Sequence, residues 1–527
     1  MPKVLVSDTL ANEGIEIFKN VPGIEVDVLT DLTPDKLKET IKDYDGLAIR
    51  SVTKVTSELV DKADKLKVIG RAGIGLDNVD VDAASKRGIM VMNTPGGNTI
   101  TTGEHAISLM LSLARNIPQA SASMKSQKWE KKRFMGAEVY NKTLGIIGIG
   151  RVGSIVADRA LGIKMNVIAY DPFISPEAAE KMGITLVTVD ELLKDSDFIS
   201  VHAPMTKETK GMVDAAAFAK MKDGVFIINC SRGGIVNERD LYDALVSGKV
   251  AGAALDVFEE EPTTNWDLVS LDNVIATPHL GASTDEAQRN VAIAIAEQIV
   301  NYLTNGTIKN AVNFPSVSAE VLAIIQPYLT LAEKLGKFEA QLVSGGIKEI
   351  IVEYSGEILD FTVSPITTAL LKGLLTPILD EDINYINAPV IAKERGIKVI
   401  EARSSEVKDF TSMISLTVKT TSGESLAAGT IFGRQDPRII RIDKFTLEAV
   451  PEGNMLVIYN NDKPGVIGDI GTTLGNNNVN IAMLQLSRKQ VDGQALVVLS
   501  TDSMVPEEVI NKLRNVPNII SVTQLEV

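Results

Sequence analysis

The feature that most constrains this chain is Gly148-Ile149-Gly150-Arg151-Val152-Gly153, because of what flanks it. Alone, G-x-G-x-x-G is a weak signal, since glycines gather in many turns. Here it follows an apolar strand over 144–147 and opens a helix over 154–161. An acidic residue, Asp171, ends the next strand, 18 residues past Gly153. That order predicts a dinucleotide-binding βαβ unit. Gly148 permits the tight turn, Gly150 lets the backbone approach a pyrophosphate, and Gly153 lets helix and strand pack closely. The helix N-terminus offers free N–H groups to phosphate. Asp171 would accept hydrogen bonds from the ribose hydroxyls and repel a 2′-phosphate, so NAD is expected over NADP.

Around this unit the chain reads as repeated α/β alternation. Strands are predicted at 4–7, 25–29, 46–49, 68–71 and 90–93, each followed by a turn or an amphipathic stretch. One long helix is expected over 98–117, with Thr101 and Glu104 at capping-box spacing and Pro118 ending it. From Thr143 the rhythm restarts with near-continuous apolar strands, which suit a parallel sheet covered on both faces. A helix over 285–304 would return the chain to the first domain.

These elements divide the chain into a first domain over 1–97, completed by 283–315, and a dinucleotide-binding domain over 98–282. An α+β segment follows over 316–450, then a βαββαβ, ferredoxin-like module over 451–527. The fold class is α/β, with two doubly wound parallel-sheet domains followed by the two α+β units. At 527 residues, several domains are expected.

The composition narrows the partners. A net charge of −15 argues against a nucleic-acid-binding surface, and no uncharged apolar run is long enough to span a bilayer. Cys230 is the only cysteine, which fits a reducing cytoplasm, and no signal peptide is read at the N-terminus. An acidic protein that binds anions must also concentrate positive charge locally, in its cleft.

Three predicted strand ends carry candidate chemistry. Arg232 follows strand 225–229, Glu261 follows strand 251–255, and His279 follows strand 274–276. Ligands of open α/β sheets bind at the carboxyl ends of the strands. An imidazole can take a hydroxyl proton near neutrality. A carboxylate bonded to it raises its pKa and fixes its tautomer, and a guanidinium can grip a carboxylate with two parallel hydrogen bonds. Taken singly, each residue reads as an ordinary surface or core group. Their shared position after a dinucleotide motif points to hydride transfer from an alcohol. The other histidines are His202, after a strand, and His105, within a helix, where it reads as packing.

Residues 1–315 resemble the D-2-hydroxy acid dehydrogenases. The whole chain resembles their long-form D-3-phosphoglycerate dehydrogenase branch, through Gly148–Gly153, His202-Ala203-Pro204, the stretches 229–234 and 256–262, and Pro278-His279-Leu280-Gly281-Ala282. The resemblance implies that His279 is the acid/base, Glu261 its partner and Arg232 the group orienting the substrate carboxylate. It places Arg151, Val152, His202, Pro204, Thr206, Cys230 and Asp256 on the cofactor side. It implies a phosphorylated 2-hydroxy acid as substrate. Arg50 and Ser51 in one loop, and Arg71, Gly73 and Ile74 in an anion nest, would receive it. Lys131-Lys132-Arg133 would reach the phosphate, within the subunit or across to a neighbour.

The C-terminal module resembles an ACT domain. Asp462, in Asn460-Asn461-Asp462-Lys463-Pro464-Gly465, and Asn480 would bind an effector between paired modules, with serine as the implied ligand and a homodimer or homotetramer as the implied assembly. Asn460 stands where some members place histidine or tyrosine. The segment 316–450 implies a regulatory or assembly role. Two other readings stay open: a glyoxylate or hydroxypyruvate reductase, which needs neither the basic run nor the ACT module, and an NAD-sensing corepressor-like protein.

Overall fold

The apolar runs of the first hundred residues form a five-stranded parallel sheet in a computed structural model that describes residues 1–315, 317, 319–404, 410–491 and 493–527. Its strand order is Glu25–Val28, Lys3–Val6, Gly46–Ile49, Val68–Arg71, Met90–Met92. The helix Asp285–Asn305 packs back onto this sheet. Gly14 and Gly70 make that possible: a Cβ on Gly14 would stand 2.6 Å from the Ala292 carbonyl oxygen, and one on Gly70 2.5 Å from the Ile299 side chain. The returning chain also pairs with the last strand, where Asn313 accepts a hydrogen bond from the Val91 N–H at 2.9 Å.

The second sheet has seven parallel strands, in the order Val274–Ala276, Val250–Leu255, Val225–Asn229, Phe198–Val201, Thr143–Ile147, Asn166–Tyr170, Thr185–Leu186. The order reverses between Thr143–Ile147 and Phe198–Val201. A crevice opens at such a switch point, beyond the carboxyl ends of the strands. The glycine turn and His202 sit at these two ends.

The predicted single helix over 98–117 is two helices, Thr99–Ala114 and Ile117–Lys125. Asn116 between them is left-handed, with φ of +52°, and breaks the run. Pro118 therefore starts the second helix, where its missing N–H costs nothing, and does not end the first. Thr101 and Glu104 form no capping box. The N-cap is Asn98, which makes no side-chain cap. The helix after the glycine turn starts earlier than predicted, at Arg151.

The third sheet has six strands: Lys398–Ser404, Ile347–Gly356, Ser412–Thr420, Glu424–Phe432, Asp436–Ile442 and Phe445–Ala449. The helices Ala319–Leu342 and Ser364–Leu375 cover it. They approach so closely that a Cβ on Gly336 would lie 2.2 Å from the Leu370 carbonyl oxygen. The fourth sheet is antiparallel, ordered Ile481–Arg488, Gln494–Thr501, Asn454–Asn461, Ile519–Glu526, with helices Val466–Gly475 and Glu507–Arg514 on one face. Among the described residues no helix is long and apolar enough to cross a membrane.

Candidate active site

A cavity of about 790 Å³ lies between the first and second sheets. Adjacent strands Val225–Asn229, Val250–Leu255 and Val274–Ala276 deliver Arg232, Glu261 and His279 to it. His279 Nδ1–H donates to Glu261 Oε2 at 2.7 Å, leaving Nε2 as the nitrogen available to a ligand. His279 has φ of +56°, a sparsely populated conformation for a side chain of this size.

Asp256 holds the loop in that shape. Fully buried, it accepts from the Leu280 N–H at 2.7 Å, the Gly281 N–H at 2.8 Å, the Thr277 hydroxyl at 2.6 Å and, at 3.2 Å, His105 Nε2. Burial pushes its pKa up, but the His105 and Thr277 hydrogen bonds outweigh it and hold it lowered. Asp256, expected on the cofactor side, is absent from the cavity wall because its oxygens serve the loop. His105, read as packing, belongs to this same network.

The His279–Glu261 hydrogen bond raises the pKa of the imidazole against the opposing effect of burial. Burial raises the pKa of Glu261, yet the His279 hydrogen bond and charge bring it below its usual value. The pair is therefore coupled as a base and its anionic support.

Charge is concentrated in the cavity. Four arginines, Arg50, Arg71, Arg151 and Arg232, line it against two carboxylates, Asp77 and Glu261. Two glycines make room for the guanidiniums. A Cβ on Gly73 would stand 1.9 Å from an Arg71 nitrogen, and one on Gly75 2.0 Å from an Arg232 nitrogen. Burial and the neighbouring Arg232 lower the Arg71 pKa to about 10. Like charges held this close favour an anion between them. Arg232 meanwhile pairs across the two lobes with Asp77, Nε to Oδ2 at 3.1 Å.

Asp8 is a site-shaping residue that the sequence pattern did not disclose. It is buried at the end of Lys3–Val6 and accepts from the N–H groups of Arg50 at 2.6 Å and Thr53 at 3.0 Å and from the Thr53 hydroxyl at 2.6 Å. It thereby fixes the loop carrying Arg50 and Ser51. Asp8→Asn turns one acceptor oxygen into a donor facing donors. The expected result is a hydroxy-acid KM raised about tenfold, the equivalent of one lost hydrogen bond, with NADH affinity unchanged. Steady-state kinetics and fluorescence titration check this, and an unchanged KM would show that the loop holds itself.

The cofactor residues fit a dinucleotide. Gly148 has φ of +92°, and a Cβ on Gly153 would strike the Gly148 carbonyl oxygen at 2.0 Å. A Cβ on Gly150 meets nothing within 4 Å, so the turn is open where a pyrophosphate would approach. Gly150 caps the helix Arg151–Gly162 without a side chain, so its first-turn N–H groups face outward. Asp171 accepts from the Ile149 N–H at 2.8 Å and the Phe173 N–H at 2.8 Å, which fixes it beside the turn. Val152, His202, Pro204 and Cys230 line the cavity. Burial lowers the His202 pKa to about 4, so it is neutral, and it pairs with the Ser200 hydroxyl at 2.7 Å. Burial raises the Cys230 thiol pKa and keeps it protonated. Ser51 and Ile74 also line the cavity, whereas Thr206 lies outside it and closes its own turn with Thr209.

Arg133 does not reach the cavity. It is bound at the surface to Asp272 at 3.1 Å and Glu130 at 3.6 Å, and Lys131 and Lys132 are exposed beside it. Among the described residues of one chain, this basic run lines no part of the cavity. The predicted effector pair also stays apart. Asp462 lies near Gly493, and Asn480 binds Asp502, at opposite ends of the strand Gln494–Thr501. By strand rise they are roughly 30 Å apart. Asp462 instead holds Arg488 at 2.9 Å. Asn460, the position that departs from the family pattern, is buried with its Oδ1 lacking a partner among the described residues.

Comparison with known proteins agrees with this geometry. Residues 107–281 match the NAD-binding domain of D-isomer-specific 2-hydroxyacid dehydrogenases, 324–443 the D-3-phosphoglycerate dehydrogenase intervening domain, and 454–518 the ACT domain. A D-3-phosphoglycerate dehydrogenase of Archaeoglobus fulgidus is 46% identical over 99% of this chain and 100% of its own. One from Bacillus subtilis is 42% identical over the full length of both. D-lactate dehydrogenase from Aquifex aeolicus, solved with NAD and lactic acid, superposes with a TM-score of 0.54 at 30% identity, covering 60% of this chain and all of that one. The chain therefore belongs to the D-3-phosphoglycerate dehydrogenase family and is an NAD-dependent enzyme with a C-terminal ACT domain.

Proposed function

We propose that the enzyme oxidises 3-phospho-D-glycerate at C2 to 3-phosphohydroxypyruvate, the first step of serine synthesis, and that serine restrains it through the ACT domain. The observation that carries the substrate is the arginine cluster: Arg50, Arg71 and Arg232 share one cavity in a chain of net charge −15. A monoanionic hydroxy acid would leave such a cluster undercompensated, whereas a carboxylate plus a phosphate would not.

NAD supplies the hydride acceptor. His279 Nε2 takes the C2 hydroxyl proton, and Glu261 stabilises the imidazolium that results. Arg232 holds the substrate carboxylate and the developing carbonyl, exchanging Asp77 for them as the lobes close. Arg50 and Ser51 supply charge and a hydroxyl to the phosphate.

The effector reading needs two copies. Asp462 of one ACT module and Asn480 of another can meet only if modules pair, so a homo-oligomer is part of the proposal. The edge strand Ile481–Arg488, with Met483 and Leu486 exposed, suits such pairing. A cytoplasmic setting is proposed from the single buried thiol.

The test is NADH production with 3-phosphoglycerate, glycerate and lactate, each with and without L-serine. The expected result is a strong preference for the phosphorylated acid and inhibition by serine, abolished in Asp462→Ala with basal turnover kept. Equal rates on the unphosphorylated acids would refute the substrate and favour a reductase of simpler hydroxy acids. Serine inhibition unchanged by Asp462→Ala would refute the effector site.

A further inference from the structure

The loop that carries His279 does not hold its shape unaided. A histidine with φ of +56° persists only where its surroundings over-determine the backbone. Asp256 supplies part of that constraint, through Thr277 on one side of His279 and through Leu280 and Gly281 on the other. A buried carboxylate ringed by donors must itself be aimed, and the aiming group comes from the helix Thr99–Ala114. His105 Nε2 stands 3.2 Å from Asp256 Oδ1 and 3.3 Å from Thr277 Oγ1. The Thr277 hydroxyl donates to Asp256, so its oxygen can accept, and the ring presents Nε2–H to both oxygens. Three residues earlier on the same helix face, the Thr102 hydroxyl lies 2.9 Å from the Gly281 carbonyl oxygen. The helix is a firm support. Ala106, Leu109, Met110 and Leu113 are buried in the core of the second domain. Gly103 lies so close to the cofactor helix Arg151–Gly162 that a Cβ on it would stand 2.7 Å from the Ile155 side chain.

We propose that His105 is a positioning residue of the hydride-transfer reaction: from behind the cavity it holds Asp256 and Thr277, and through them the left-handed turn that aims His279 at the substrate. The inference rests on His279 as the base. His105 is absent from the cavity wall, so it acts on the reaction through geometry and not by contact with substrate. Without its imidazole, Asp256 keeps the Thr277, Leu280 and Gly281 donors, and the loop stays folded. The anchor on the Thr277 side is lost, however, and His279 is free to rotate away from the substrate hydroxyl. A displacement of about 1 Å in a reacting group costs far more rate than binding.

The experiment compares His105→Leu, His105→Asn and His105→Gln in the full-length enzyme. Steady-state kinetics with 3-phosphoglycerate and NAD give kcat and KM, and fluorescence titration gives the NADH dissociation constant. The glutamine amide nitrogen can reach the place of Nε2, whereas the equally polar asparagine amide is one methylene too short. His105→Leu and His105→Asn are expected to lower kcat about tenfold, with KM and NADH affinity unchanged, and His105→Gln to restore most of the loss. If leucine beside a buried carboxylate prevents folding, the contrast between asparagine and glutamine alone decides. The proposal is overturned if His105→Asn keeps full turnover, or if His105→Gln is as slow as His105→Asn. It is equally overturned if KM rises and NADH binding weakens in step with kcat, which would mark general damage to the domain. His279→Ala, measured alongside, separates the two readings. A slow His279→Ala with an unimpaired His105→Asn refutes the positioning role alone, and an active His279→Ala refutes the base and this role together.

Discussion

Replacing His279 with Ala is expected to lower kcat by roughly 10²–10⁴-fold, the usual contribution of a positioned general base, while NADH affinity stays as it is. Among the described residues no hydrogen bond joins the imidazole to the glycine turn. Its Nδ1 belongs to Glu261, which leaves Nε2 for a substrate in the cavity that His279 lines, so its loss is expected to remove proton transfer and leave cofactor contacts intact. The pH dependence gives an independent check. Oxidation requires neutral His279, so its rate falls as pH drops through the imidazole pKa, which Glu261 raises. Glu261→Gln removes the charge responsible. The acid limb of kcat/KM must then move to lower pH, even as the plateau falls because the imidazolium loses its support. A profile that drops without moving would mean that another group sets the limb, and weakened NADH binding in His279→Ala would remove the histidine from its assigned role.

How far this site was legible in the sequence depends on the range of the interactions involved. The glycine turn, Arg232, Glu261 and His279 could be placed because each sits at a strand end with a local signature. A strand end fixes position without reference to the rest of the chain. Asp8, Asp77 and the His105–Asp256 contact could not be. Asp8 meets its partners 42 to 45 residues away, and nothing near it in the chain marks that meeting. The break at Asn116 was hidden because asparagine adopts left-handed backbone angles at little cost, inside an otherwise continuous apolar periodicity. Arg133 carries the opposite kind of signal. A basic run has a strong local appearance, yet Asp272, far along the chain, claims its charge. The third sheet was half seen: its strands from Ser412 to Ala449 follow one another through turns of two or three residues, and only 349–354 and 413–420 stood out as strands.

The stability of the C-terminal half is expected to fall as pH rises from about 4.5 to about 8, and Glu339→Gln is expected to abolish that fall. Glu339 lies fully buried on the helix Ala319–Leu342, and its oxygens make no hydrogen bond of good geometry. Burial raises its pKa to about 8; the Ser425 hydroxyl offsets this slightly, and the nearby Asp443 carboxylate adds to it. Asp443 is itself held by the Leu426 N–H at 3.1 Å and by the Tyr459 hydroxyl at 2.7 Å, so the cluster joins the third sheet to the first strand of the ACT module. Below pH 4.5 the carboxyl is protonated whether the chain is folded or not, and no stability depends on pH through it. Between about 4.5 and 8 the unfolded chain has lost the proton and the folded one keeps it. The folded state then binds more protons, and each pH unit costs about 1.4 kcal/mol. Across the window the loss is on the order of 3–5 kcal/mol. Glutamine is neutral at every pH, and any packing or hydrogen-bonding penalty it brings is the same at pH 5 and pH 8. That constant offset cancels when the difference between variant and parent at pH 8 is compared with the difference at pH 5. Urea unfolding of the full-length protein at both pH values, followed through the C-terminal transition, measures the comparison. A gain that appears only at the higher pH would establish Glu339 as the ionisable joint between the two units, and parallel pH profiles would exclude it.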